Sequence, residues 1–271
     1  MGLVIIIETH RPENLFNEGT KADIMIRTII AVILAAVILI VSLPFLGLQW
    51  LLQKKWPHFG ERGSFRFMQF AFRLVSLPLG IRLTVIGREN IPQDRPCLFI
   101  GNHRSWLDVI LGYPFLPSIT GFVAKNDFTK FPILPIWMRR LYCQFLVDGD
   151  IRQNLQSILA AIENVKLGVS MVIYPEGKRS TGDDERELLD FHEGSFKIAT
   201  KTKCPIVPVA VTGTRERFER QFPKVRPGVV TIEFGKPIET DQLSREELKG
   251  IGAKCRQIVQ EMVIRNHKDE I

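Results

Sequence analysis

From Arg27 to Lys54 the chain carries no charged residue, and Ile29 to Val41 is made only of Ile, Val, Leu and Ala. A helix crossing the hydrocarbon layer of a bilayer needs about 20 such residues, so this run is long enough. Each Leu or Ile near its middle favours insertion by roughly 0.3–0.6 kcal/mol, with no charge opposing it. Trp50 and Trp56 suit the membrane–water boundary, and Pro44 and Gly47 sit where a helix kinks or ends. The run is too long for a typical signal peptide and lacks a small-x-small cleavage site. Further on, Arg66, Gln69, Arg73 and Ser76 recur at helical spacing, with Phe65, Phe67, Met68, Phe70, Phe72, Leu74, Val75 and Leu77 on the other sides. This predicts a second helix with a narrow polar stripe. Three settings suit it: the headgroup layer, the wall of an acyl groove, or a protein core.

Beyond residue 80 the periodicity changes. Short apolar runs at 82–86, 97–101, 121–124, 144–147, 170–174, 206–211 and 229–234 predict strands. Helical spacing at 106–113, 133–141, 151–166, 192–201 and 244–265 predicts helices, the last opened by a capping box at Ser244 and Glu247. This alternation predicts an α/β fold: a mixed, largely buried sheet flanked by helices. The chain divides into a polar N-terminal segment (1–23), membrane-anchoring helices (24–80) and one large domain (81–271). The run Asp183-Asp184-Glu185-Arg186-Glu187 is expected to be a solvated loop.

Composition narrows the function classes. Of 271 residues 45% are hydrophobic, enough for a substantial core, and the net charge is +7. The cations are dispersed and no nucleic-acid-binding signature occurs, so a nucleic-acid partner is not expected. Anionic lipid surfaces and acidic substrates account for the charge better. Lysines and arginines are denser after the apolar run (Lys54, Lys55, Arg62, Arg66, Arg73) than before it (Arg11, Lys21, Arg27). That bias puts the large domain on the cytoplasmic side of the cell membrane. Cys97, Cys143, Cys204 and Cys255 are far apart and form no Cys-x-x-Cys. Neither a zinc site nor a disulfide framework is expected, and a reducing compartment is the simplest setting.

Two blocks carry candidate chemistry. In Gly101-Asn102-His103-Arg104-Ser105-Trp106-Leu107-Asp108 a histidine precedes an aspartate by five residues, just after an apolar strand. Imidazole can take a proton from a hydroxyl near neutral pH, and a carboxylate can hold its tautomer and orientation. Five is the wrong spacing for one helix face. The two side chains meet only if His103 lies in the turn before a helix and Asp108 in its first turn. Alone the pair is weak, because lone histidines are commonly structural. The second block, Tyr174-Pro175-Glu176-Gly177-Lys178-Arg179-Ser180, ends another strand. An acid, a glycine and two cations there suit an anionic ligand bearing hydroxyls. Gly177 permits close backbone approach, and Arg179 offers a planar fork to phosphate oxygens.

With these blocks in order, the chain resembles the glycerolipid acyltransferases, specifically the 1-acylglycerol-3-phosphate acyltransferase family. Asn102-His103-x4-Asp108 resembles the catalytic block, and Lys125 with Phe131-Pro132 the second. Tyr174 to Ser180 resembles the third. Cys204-Pro205-Ile206-Val207-Pro208-Val209-Ala210 resembles the fourth, preceded by Phe191-His192-Glu193-Gly194 and Ala199. The likeness covers roughly residues 80–240. Three departures concern the second and third blocks. Val147-Asp148 is followed by Gly149-Asp150-Ile151-Arg152 rather than directly by an arginine. Glycines usual near Pro135 and Tyr142 are missing, and Lys178 replaces a small polar residue.

The resemblance implies a reaction in which a lysophospholipid hydroxyl attacks the thioester of acyl-CoA or acyl carrier protein. No cofactor or metal is implied; the thioester is a co-substrate. His103 would be the base and Asp108 its partner. Glu176 would bind glycerol hydroxyls and Arg179 the acceptor phosphate, with Gly177 beside them. Lys125 would lie near that phosphate or the acyl carbonyl, and Arg152 would stand in for the displaced arginine. Chemistry agrees, since an activated acyl donor needs no covalent nucleophile and no Gly-x-Ser-x-Gly elbow occurs. Rival readings are acylation of another lysophospholipid or of glycerol 3-phosphate, a non-catalytic lipid-binding membrane protein, and a hydrolase.

Overall fold

The computed structural model describes residues 20–56 and 58–268. Most of the polar segment 1–23, with Arg11, lies outside them. In chain order the helices are α1 (Lys21–Val41), α2 (Leu43–Gln53), α3 (Glu61–Ser76), α4 (Leu107–Gly112), α5 (Leu134–Arg140), α6 (Ile151–Lys166), α7 (Lys197–Thr202), α8 (Thr214–Arg217), α9 (Arg245–Lys249) and α10 (Ile251–Lys268). The strands are β1 (Ile81–Ile86), β2 (Leu98–Gly101), β3 (Thr120–Lys125), β4 (Gln144–Leu146), β5 (Ser170–Ile173), β6 (Ile206–Thr212) and β7 (Gly228–Phe234).

The apolar N-terminal run forms two consecutive helices. A reciprocal capping box between Thr20 and Asp23 opens α1. Ser42 ends it, and Pro44, which lacks an N–H, begins α2. Three buried polar residues fasten the pair to the rest of the protein. Thr28 accepts the Val225 N–H at 2.9 Å. Ser42 accepts the Trp137 indole N–H at 2.8 Å. Gln49 accepts the Ser64 hydroxyl at 2.9 Å and Arg140 Nε at 3.1 Å. The opposite face leaves Ile29, Val32, Ile33, Ile40, Leu48 and Trp50 exposed.

The seven strands form one sheet in the order β1-β7-β6-β2-β5-β3-β4. Every neighbouring pair is parallel except β6–β7. Side chains alternate across it, as a two-period strand requires. Phe99, Val172 and Val207 join α1, α3, α4 and Trp137 on one face. Leu98, Ile100, Met171 and Ile206 join α6, α7 and α10 on the other. Two expected elements are divided. The helix expected at 192–201 opens with a 3-10 turn (Glu193–Phe196) before α7. The one expected at 244–265 breaks at Gly250, so the Ser244–Glu247 capping box starts only the short α9.

The topology decides where chemistry can occur. β6, β2, β5 and β3 lie side by side and run in one direction, so their C-terminal ends share one edge. In open α/β sheets that edge is where ligands bind.

Candidate active site

His103 follows the end of β2, and Asp108 lies in the first turn of α4, as the five-residue spacing requires. His103 Nδ1 is 2.9 Å from Asp108 Oδ2. The same oxygen accepts the backbone N–H groups of Arg104 and Ser105, each at 2.9 Å. Oδ1 accepts the Thr214 hydroxyl at 2.6 Å. Asp108 is buried, so these donors replace water around its charge. Donation from Nδ1 leaves Nε2 of a neutral ring free to accept a proton. Ser105 is buried and caps α4 by accepting the Leu107 N–H at 3.0 Å.

Neighbouring strand ends hold the histidine from every side. Asn102 sutures β2 to β6: its amide donates to the Val211 carbonyl at 2.8 Å and accepts the Val211 N–H at 2.9 Å. Tyr174, just past β5, stacks beneath the imidazole with ring centres 4.2 Å apart and planes within 11°. The His103 N–H donates to Glu176 Oε1 at 2.8 Å, and its carbonyl accepts the Ser180 N–H at 2.8 Å.

Glu176, expected to bind glycerol hydroxyls, holds backbone in this structure. It is 3% exposed, and its second oxygen accepts the Leu189 N–H at 3.1 Å. Both oxygens are committed to backbone, which leaves the carboxylate outside the lining of the cavity. Burial pushes its pKa above the ordinary carboxylate value, while the two N–H donors partly restrain the rise. Gly177 adopts φ +68°, and a Cβ there would meet the His192 ring at 3.2 Å.

The His103 ring opens onto a cavity of about 2600 Å³ whose wall also includes Lys125, Gly177 and Arg179. A drug-sized site is about 300–1,000 Å³, so two amphiphiles fit together here. Its apolar wall comes from α1, α3, α5 and α6, including Ala36, Met68, Met138 and Leu155. The segment that suited three settings is divided: Phe70 and Leu77 are exposed. Phe65 and Ala71 are core, Phe67, Phe72 and Val75 line the groove, and Gln69 binds the Leu116 carbonyl at 2.9 Å.

The cations stand at the rim. Arg179 lies over the Trp106 ring, 5.2 Å from its centre, and pairs with Glu219 at 3.2 Å. Lys125 pairs with Asp148 at 2.9 Å. Exposed pairs of this kind are worth about 0–1 kcal/mol, so a phosphate can displace either carboxylate. Arg152 sits in the first turn of α6, exposed and outside the cavity lining. Its neighbour Ile151 does line the cavity.

The acidic run at 183–187 is solvated only in part, because Glu185 is 7% exposed. It accepts the Gly213 N–H at 3.0 Å. Arg104, 1% exposed, crosses to the Asp184 carbonyl at 3.1 Å. Sequence reasoning gave no site role to Thr214, Tyr174, Glu219 or Glu185, although Tyr174 opens the third block and Glu185 lies in the acidic run. Only Tyr174 had a local signal, as the residue directly before the third block's proline.

Residues 82–212 match the acyltransferase family. A 1-acyl-sn-glycerol-3-phosphate acyltransferase of Saccharomyces cerevisiae is 31% identical over 188 residues, covering 68% of this chain and 61% of the relative. One from Cocos nucifera is 30% identical over 199 residues, covering 71% and 61%. The chain thus spans about three fifths of the length of these two relatives. The crystal structure of the 1-acyl-sn-glycerophosphate (LPA) acyltransferase PlsC from Thermotoga maritima superposes with a TM-score of 0.71 at 27% identity. That likeness covers 92% of this chain and 96% of the other.

The burial of Glu176 gives a stability test. Its raised pKa means the folded protein holds this proton more tightly than the unfolded chain. Its contribution is complete below 4.5 and is lost as pH rises through the raised value. Thermal unfolding of the parent and Glu176→Gln from pH 4 to 8 should show the parent's relative stability falling as pH rises. A difference constant with pH would mean that the carboxylate is not desolvated.

Proposed function

We propose, from the premise that the chain belongs to the acyltransferase family through residues 82–212, that it is a membrane-bound O-acyltransferase. It moves a fatty acyl group from acyl-CoA or acyl carrier protein to the free hydroxyl of lysophosphatidic acid, giving phosphatidic acid. The observation that carries this reading is the 2.9 Å contact of His103 Nδ1 with Asp108, set at the wall of a cavity rimmed by Lys125 and Arg179.

Nε2 of neutral His103 removes the acceptor's hydroxyl proton as that oxygen attacks the thioester carbonyl carbon. The carbon–sulfur bond then breaks, and the departing thiolate takes the proton back from the imidazolium. Asp108 stabilises the imidazolium in between. Such a base contributes about 10²–10⁴ in rate. Holding both amphiphiles in one cavity contributes up to about 7–11 kcal/mol. Arg179 receives the acceptor phosphate, its fork freed from Glu219, and Lys125 adds charge at the same rim. Glu176 and Gly177 shape the turn that fixes the His103 backbone.

The apolar helices α1 and α2 suit insertion into one leaflet. Thr28, Ser42 and Gln49 tie them to the domain along 21 residues, roughly 30 Å of helix. A helix held lengthwise in this way cannot also thread through the bilayer. Its exposed Ile, Val, Leu and Trp face lies in lipid, and Lys54 and Lys55 suit the anionic cytoplasmic leaflet.

With lysophosphatidic acid and either thioester donor, the purified enzyme should form phosphatidic acid. His103→Ala should lower kcat by about 10²–10⁴ with folding retained; a folded, fully active variant would remove the base assignment. Across lysophospholipids and glycerol 3-phosphate, Arg179→Ala should raise KM for phosphate-bearing acceptors about tenfold or more at little cost in kcat. An unchanged KM speaks against its phosphate role. Lys21→Cys and Lys55→Cys, at the polar ends of the two helices, bound to sealed vesicles from outside, should both react with a membrane-impermeant maleimide. Labelling of only one of the two would mean that the helix crosses.

A further inference from the structure

Asp108 can steer His103 only if the carboxylate itself is held still. Its Oδ2 is held by the backbone of its own turn, through Arg104 and Ser105. Among the described residues Oδ1 has one hydrogen-bond partner, the Thr214 hydroxyl at 2.6 Å. Thr214 is 0% exposed. It reaches the site from the far side of the sheet's centre: β6 ends at Thr212, and the chain then turns at Gly213. That turn is tightly determined. Gly213 has φ +83°, and a Cβ there would meet the Val229 carbonyl oxygen at 2.7 Å. Its N–H donates to the buried Glu185 carboxylate.

We infer that Thr214 is a positioning residue for the transfer reaction: its hydroxyl fixes Asp108 and tempers the carboxylate's pull on His103. The inference rests on reading His103 as the base. Asp108 pairs with no Lys or Arg among the described residues, so the charge is stabilised by hydrogen bonds and, during turnover, by the imidazolium. Removing the Thr214 donor leaves a buried oxygen unpartnered, and the carboxylate becomes a stronger acceptor for Nδ1–H. The imidazolium is then favoured and the ring must reach higher pH to act as a base. The other ionisable neighbours of the ring are the Tyr174 phenol below it, Glu176 at its backbone N–H and Arg104 beside it. Among the described residues only Asp108 touches its nitrogens.

The test is Thr214→Val and Thr214→Ser in the full chain, assayed with lysophosphatidic acid and acyl-CoA. Thr214→Val should lower kcat about tenfold to a hundredfold, the loss expected for one hydrogen bond to a buried charge. Both KM values should stay unchanged. The acid limb of kcat/KM should move to higher pH, and the His103 ring, followed by NMR with labelled histidine, should titrate higher by the same amount. Thr214→Ser should restore the parent's kcat and profile. A purely structural Thr214 would lower the folded fraction while leaving the acid limb in place, and that result overturns the inference. If Thr214→Val fails to fold, Thr214→Ala carries the same measurements, and Ala and Ser variants with equal kcat and equal limbs overturn it as well. An active His103→Ala would sink the base reading, whereas the ring titration reports on Thr214 in either case.

Discussion

The site depends on a single buried carboxylate. Asp108 gathers four donors: the Nδ1 of His103, two backbone N–H groups from the turn before α4, and the Thr214 hydroxyl from beyond β6. An ionised carboxyl out of water is costly unless its lone pairs are taken up. That requirement draws together the ends of β2 and β6 and the start of α4. A histidine held in this way spends little entropy adopting its reactive orientation.

The sheet makes the gathering possible. β6, β2, β5 and β3 are parallel neighbours, so side chains as far apart in sequence as Asp108 and Thr214 reach one edge. Asn102 extends the β2–β6 pairing past the last regular residue, using a side-chain amide as a substitute peptide. Glu176 does the equivalent from β5 by capturing the His103 N–H. Both groups act on the backbone, which is why the histidine is fixed at its root as well as at its ring.

The apolar N-terminal helices and the cavity form one arrangement. Thr28, Ser42 and Gln49 turn inward and each satisfies a partner in the rest of the protein, while much of the outward face is apolar. Ala36 of α1 and Met68 of α3 also line the space onto which His103 opens. Val32 and Ile40 are both exposed and part of the cavity lining, so the outward apolar face of α1 runs on into the cavity wall. This geometry suits a reaction whose substrates reside in a bilayer.

Much of this was legible before any fold was known. The residues, by their spacing alone, determined the seven strands, the apolar helices, and the turn-then-helix setting of His103 and Asp108. Periodicity reports which faces are buried, and a base with its partner five residues apart is a local event. The tertiary structure decided the order of strands, the lengthwise docking of α1 and α2, and the identity of the long-range partners. The backbone contacts of Glu176, the burial of Glu185 out of a run that reads as solvated, and the reach of Thr214 to Asp108 carried no local signal. Hydrogen-bond partners 70 to 106 residues apart depend on which strands lie side by side, and no local pattern of side chains records that.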